Sequence, residues 1–165
     1  MDNQRKFIIR PITADDDAAI AVIIRDNLRA AQLDIPGTAY YDPELDHLSD
    51  FYNAEPQRRR YYIATDENGT VIGGVGYAEF PGVENCAELQ KLYLDDTVKG
   101  RGYSHELMAA VERGAKAAGY QKLYLETHTS LRAAIALYEK HGYKSIPQPV
   151  PTIHITMDRF YIKEL

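Results

Sequence analysis

Gly100 and Gly102, in "TVKGRGYSHELM" (Thr97 to Met108), stand directly before a run with helical spacing. An ordered glycine costs backbone entropy, so two of them there point to something that must approach the main chain closely. A strand that runs into such a loop and then a helix aims free N–H groups and the positive helix end at one point, which suits a phosphate. Lys99 and Arg101 add charge without blocking that approach. Two familiar phosphate loops do not match. The chain lacks G-x-x-x-x-G-K-[ST], and it lacks G-x-G-x-x-G followed about 20 positions later by an acidic residue. A glycine-rich turn that binds nothing is the competing reading. Cys86 is the single cysteine, which excludes an internal disulfide and a cysteine-rich metal site. In an apolar strand it reads as a small buried hydrophobe rather than an acyl-accepting nucleophile. His47, His128, His141 and His154 are dispersed and show no zinc-like spacing, so no metal is expected.

Composition bounds what these residues can serve. The chain has 165 residues, 45% apolar and 26% charged, with a formal net charge of -5, the profile of one folded domain over residues 1–165. An acidic balance speaks against nucleic acid and mildly favours cationic small molecules. No apolar run approaches a membrane span, and "MDNQRKFIIR" lacks the apolar core of a secretory signal, which makes the cytoplasm the expected location. The basic run Arg58 to Arg60 reads as a solvated strand entrance rather than a phosphate patch.

The elements that must position the loop follow from periodicity. "FIIRPIT" (Phe7 to Thr13) predicts a strand, and Thr13 caps a helix with Asp15 to Asp17 in its first turn and Ile20, Ile23, Ile24 and Leu28 on one face. Breakers at Pro36-Gly37 and Asp42-Pro43 blur the pattern, with a short helix predicted from Pro43 to Tyr52. "RYYIATDENGTVIGGVGYAEF" predicts a hairpin turning at Asn68-Gly69, and Gly73, Gly74 and Gly76 mark a bulge or a close neighbour in its second strand. A strand Cys86 to Leu94 then leads through Asp95-Asp96 and the glycine loop to a helix bearing Leu107, Met108, Val111, Ala115 and Ala118, ended by Gly119. A strand Lys122 to Thr127, a helix with Leu131, Ala134, Ile135 and Tyr138 on one stripe, a stop at Gly142, and a last strand in "IHITMDRFYIKEL" complete the chain. Such alternation predicts an α/β fold with a mixed sheet flanked by helices on both faces.

"KGRGYS" (Lys99 to Ser104) resembles the Q/R-x-x-G-x-G/A signature of the GNAT superfamily of acetyl-CoA-dependent N-acetyltransferases. The likeness runs from Ala87 to Tyr143 in order and spacing, including the run at Ala134 to Tyr143, and the remaining elements fit that family's layout, with a largely antiparallel sheet. The resemblance implies acetyl-CoA as acetyl donor, with its phosphates on the N–H groups of Lys99, Gly100, Arg101, Gly102, Tyr103 and Ser104. It implies a pantetheine arm along Leu92, Tyr93 and Leu94, with the Leu92 N–H polarising the thioester carbonyl. It also makes a homodimer the expected assembly. Three positions depart from the pattern: Lys99 for Gln or Arg, Ser104 for Gly or Ala, and Leu131 for an Asn that often contacts the arm.

Amide formation needs a deprotonated amine and a protonated leaving thiol. Tyr138 matches the family's tyrosine that gives its proton to sulfur. Glu88, eleven residues before Lys99, matches a glutamate that some members use as base; Glu126 is the second candidate. Tyr40, Tyr41, Tyr77, Glu79 and His154 are candidate walls of the acceptor site. The implied activity is direct acetyl transfer from acetyl-CoA to a primary amine of a small molecule or peptide. A non-catalytic acyl-CoA-binding or sensing module is the alternative.

Overall fold

The computed structural model describes residues 7–165. Residues 1–6, which hold most of the polar start set against a secretory signal, lie outside the described residues. Strand β1 (Ile8–Pro11) passes into a short turn of 3-10 helix at Ala14–Asp16 before helix α1 (Asp17–Ala30). Thr13 donates its N–H to Asp16 Oδ2 at 2.8 Å, and Arg10 grips the same carboxylate at 2.7 and 2.8 Å, so α1 starts later than the sequence predicts. Asp17 is drawn away from the helix end to accept from the N–H and hydroxyl of Ser49 at 2.9 and 2.6 Å. The short helix predicted at Pro43 to Tyr52 divides into a 3-10 turn, Leu45–His47, and helix α2 (Leu48–Asn53).

Strands β2 (Arg60–Thr65) and β3 (Val71–Glu79) form the predicted hairpin, with Gly69 at φ 81° in its turn. Then come β4 (Cys86–Leu94), α3 (Tyr103–Ala117), β5 (Lys122–Thr127), α4 (Arg132–Lys140), β6 (Lys144–Ile146) and β7 (Arg159–Glu164). They make one seven-stranded sheet in the order β1-β2-β3-β4-β5-β7-β6, antiparallel except where β4 meets β5. Helices α1 and α2 cover one face, packing Ile20, Ile24, Leu48 and Tyr52 against Tyr61 and Ile63. Helices α3 and α4 cover the other, packing Leu107, Met108, Val111 and Tyr138 against Val75, Leu89 and Leu123. Ala118 falls beyond α3 and is exposed, unlike the rest of its predicted stripe.

Strand β6 escapes prediction, and the alternation at Ile153 to Met157 is not strand: Ile153 and Ile155 are 79% and 81% exposed. Pro147, Pro149 and Pro151 lie just upstream. They remove three N–H donors, so an alternating run that sequence reads as strand starts without a ladder to join.

Two features of the sheet shape the site. Parallel pairing of β4 with β5 stops at Glu88 opposite Tyr124, so both strands run on beyond their last shared pair. On the other edge of β4, register shifts between Gly74 and Gly76 and Lys91 takes φ 52°, a bulge in β4. The glycines opposite are required by close approach: a Cβ on Gly74 would lie 2.7 Å from the Tyr62 carbonyl, and one on Gly76 2.6 Å from the Tyr61 ring.

Candidate active site

Where β4 and β5 part, a cleft of about 620 Å³ opens. Residues Glu88 to Leu94 of β4 line its length, Asn27 and Ala30 of α1 close one side, and Ala134 and Tyr138 of α4, with Leu131 just before that helix, close the other. The glycine loop stands at its mouth through Lys99, Gly100 and Ser104. Gly100 and Gly102 take φ 75° and 82°, the left-handed region that other residues enter at a cost, and a Cβ on either would meet no protein atom within 4 Å. The main-chain N–H groups from Gly100 to Ser104 have no acceptor among the described residues, whereas the next, His105, donates back to Gly102.

Side chains of the loop divide. Lys99 turns to Asn27 Oδ1 and Asp96, each at 2.6 Å, and Asn27 in turn donates to the Leu94 carbonyl at 2.8 Å. One amide thus ties the loop, the end of β4 and α1 together, a bracing role that nothing in the position of an Asn on an amphipathic helix announces. Arg101 and Tyr103 face a separate hollow of about 150 Å³, where Tyr103 stacks on Phe7 with ring centroids 4.4 Å apart. Neither of these two residues, nor Gly102, is among those that line the cleft. Leu92 and Leu94 alternate in step along β4, so the polar main-chain groups of Leu92 share the side on which Leu94 meets Asn27.

Tyr138 is buried on the α4 stripe, and burial pushes its hydroxyl well above the usual tyrosine range. That hydroxyl has no hydrogen-bond partner among the described residues, yet every sealed side-chain polar atom described has one, so it opens into the cleft. Glu88 accepts from Gln90 Nε2 at 2.6 Å, and Gln90 Oε1 accepts from the Tyr52 hydroxyl at 2.6 Å. Burial raises the Glu88 pKa, with Gln90 pulling it back and Glu126 adding to the rise. Among the described residues Glu126 makes no salt bridge; it accepts from the Tyr124 hydroxyl at 2.9 Å and from the Thr152 hydroxyl at 2.8 and 2.9 Å. Leu131 stands at the start of α4 and packs toward α1, giving the cleft an apolar contact where an Asn would give a polar one.

Behind Glu88 lies an ion cluster that the sequence does not signal. Lys91 Nζ meets Asp42 Oδ2 at 2.7 Å, both side chains only 5% exposed, with Glu44 at 3.6 Å. Asp42 Oδ1 holds His154 Nε2 at 2.8 Å. Burial alone would raise the Asp42 carboxyl, but His154 and Lys91 outweigh it and hold the group below its ordinary value. His154 lines the cleft, whereas Tyr40, Tyr41, Tyr77 and Glu79 do not. Tyr40 bonds Arg29, Tyr41 is exposed, Tyr77 packs beside Tyr120, and Glu79 is taken by Arg59 of the basic run. Cys86 is buried, and burial pushes its thiol up to about 11, as befits an inert packing residue. Among the described residues no group of His, Cys, Asp and Glu is placed to hold a metal, and no helix is long and apolar enough to cross a membrane.

Residues 25–143 match the family model described as the acetyltransferase (GNAT) family. The chain is 33% identical over 161 residues to the uncharacterized N-acetyltransferase YjgM of Escherichia coli (strain K12), covering 96% of this chain and 95% of that protein. Its fold matches a solved GNAT-family acetyltransferase of Staphylococcus aureus Mu50 with a TM-score of 0.83 at 17% identity, over 96% of this chain and 99% of that one. It also matches the PaiA N-acetyltransferase of Thermoplasma acidophilum, solved in complex with coenzyme A, with a TM-score of 0.74 at 18% identity, over 97% and 99% of the two chains. A parted pair of parallel strands with a bare glycine loop at its mouth is thus set in a chain whose relatives, by sequence and by fold, are acetyltransferases, and this chain belongs to the GNAT family of acyltransferases.

Proposed function

We propose that the cleft binds acetyl-CoA and that the protein transfers its acetyl group directly to a primary amine. The observation that carries this reading is the mouth of the cleft: consecutive free N–H groups from Gly100 to Ser104, with open space where glycine Cβ atoms are missing. That arrangement fits a pyrophosphate, and the PaiA relative was solved with coenzyme A. Acetyl-CoA supplies an activated acyl carbon and a thiol leaving group. The chain's own residues supply the rest. The unpaired edge of β4 from Leu92 to Leu94 offers main-chain partners to an extended arm, and the Leu92 N–H serves as donor to a carbonyl oxygen on which negative charge develops. Tyr138, neutral at any working pH, gives a proton to sulfur. Glu88, with its raised pKa, accepts a proton from the amine nearer neutrality than an ordinary glutamate would.

Thiol release from acetyl-CoA, followed across a panel of polyamines, amino acids, aminoglycosides and peptide amino termini, tests the activity; no release with any amine sinks it. Two variants probe the parts. Gly102→Val puts a β-branched residue at φ 82°, in the left-handed region, within the run of free N–H groups. It is expected to weaken coenzyme A binding about tenfold or more, roughly 1.4 kcal/mol, as read by calorimetry. Glu88→Gln is expected to lower kcat on the order of 10²-fold and to displace the acid limb of the pH–rate profile. An unchanged profile removes Glu88 as base.

A further inference from the structure

Acetyl transfer from a thioester to an ammonium group releases one proton per turnover. The first proton leaves before the amine attacks. The second leaves as the amide forms and replaces the one that Tyr138 gives to sulfur. The first must therefore travel from the cleft to water, and Glu88 is poorly placed to release it alone. Its carboxylate is half-buried and held by the Gln90 amide, which cannot take a proton, with the Tyr52 hydroxyl behind. The other carboxylate of the cleft, Glu126, is occupied by the hydroxyls of Tyr124 and Thr152.

His154 lines the same cleft and its side chain is 23% exposed. Its Nε2 meets Asp42 Oδ1 at 2.8 Å, while Nδ1 has no partner among the described residues. The segment carrying it is pinned on both sides. Thr152 bonds Glu126, and Thr156 donates its N–H to the Gly37 carbonyl at 3.1 Å and its hydroxyl to the Pro36 carbonyl at 2.7 Å. Asp42 is itself fixed from the far side by Lys91. An imidazole backed by a buried carboxylate, one nitrogen bound and the other free, is the arrangement of a proton acceptor rather than of a surface histidine.

We propose that His154 is the proton exit of the acetyl-transfer site and that Asp42 is its positioning residue; this rests on the acetyl-transfer reading above. The ammonium N–H bond breaks as an O–H bond forms on Glu88. That O–H bond breaks as the proton passes through water in the cleft that both residues line, an N–H bond forms at His154 Nδ1, and the imidazolium then gives its proton to the solvent. The electron pair left on the amine makes the bond to the acetyl carbon. The charges around the ring suit the task. Burial works to lower the imidazole pKa, but the bond to Asp42 and its charge more than offset this, with Lys91 acting to lower it and Glu88 to raise it. Glu88 and His154 feel each other's charge, so the acid limb of the rate profile belongs to the pair.

The test compares wild type, His154→Ala and His154→Gln by thiol release from acetyl-CoA with the best amine of the panel, from about pH 6 to about pH 9, with and without imidazole in the buffer. The expected result is a fall in kcat on the order of 10²-fold at unchanged KM for acetyl-CoA. Added imidazole restores part of the rate in His154→Ala, and the acid limb moves in both variants. In Asp42→Asn, which keeps an acceptor for His154 but loses the charge, the acid limb moves to lower pH. Wild-type kcat in His154→Ala overturns the proposal. So does a loss equal at every pH that imidazole does not relieve. Absence of turnover in wild type with every amine would instead overturn the acetyl-transfer reading.

Discussion

Tyr138→Phe is expected to lose on the order of 10²-fold in kcat while its thermal stability and its KM for acetyl-CoA stay at the wild-type values. The substitution removes one oxygen from a side chain whose ring does the packing. Tyr138 lies edge-on to Tyr143 and tilted to Tyr161, with ring centroids 6.0 and 6.5 Å away, and Phe keeps both contacts. No protein hydrogen bond is broken, because the hydroxyl has no partner among the described residues. A purely structural tyrosine would therefore show no effect in either measurement. Burial holds the hydroxyl far above the usual tyrosine range, so over the working pH range it can only give a proton, never serve as the initial base. The loss should accordingly be nearly constant with pH, unlike the losses in Glu88→Gln and His154→Ala, which move the acid limb. Full turnover in Tyr138→Phe with a good amine would remove the acid role.

The contrast between Tyr138 and His154 shows what sequence could and could not reveal. Glu88 and Tyr138 lie on elements whose periodicity is strong, β4 and α4, Gly100 lies in the loop between β4 and α3, and the boundaries read for β4 and β5 coincide with the structure. Along such elements spacing is geometry, so residues read as neighbours do line one cleft. Asp42 and His154 lie in irregular segments, 112 positions apart, and meet only because the strap between β6 and β7 folds back over the early loop. In the sequence Asp42 reads as half of a chain-breaking Asp-Pro pair, which is true of it and hides its buried charge. The same holds for Lys91: a lysine within a strand reads as a solvent-facing residue, and only the bulge at φ 52° turns it inward. Ile153 to Met157 misled for the opposite reason, since alternation without N–H donors upstream imitates a strand that cannot pair.

Lys91→Met is expected to destabilise the protein by about 3 kcal/mol near neutral pH, the low end for stranding one partner of a buried ion pair. Met keeps the length and apolar body of the side chain, so the loss reads the charge rather than a cavity. Asp42 would keep His154 as a partner, which is why the low end is expected. Acid should narrow the gap. In wild type the depressed Asp42 pKa contributes stability above its ordinary value of about 4, and that contribution is lost as pH falls through the folded value. Without Lys91 the depression shrinks, Asp42 takes up its proton at higher pH than in wild type, and the stranded charge disappears. Thermal unfolding at neutral pH and near about pH 4 measures both halves; a gap that is equal at the two would mean that Lys91 acts by packing. A kinetic consequence follows from the same cluster. Lys91 lowers the His154 pKa and Asp42 raises it, so Lys91→Met should move the acid limb of kcat upward in pH where Asp42→Asn moves it downward. Opposite shifts from two buried residues that face each other at 2.7 Å are hard to obtain from misfolding, which would lower the rate at every pH alike.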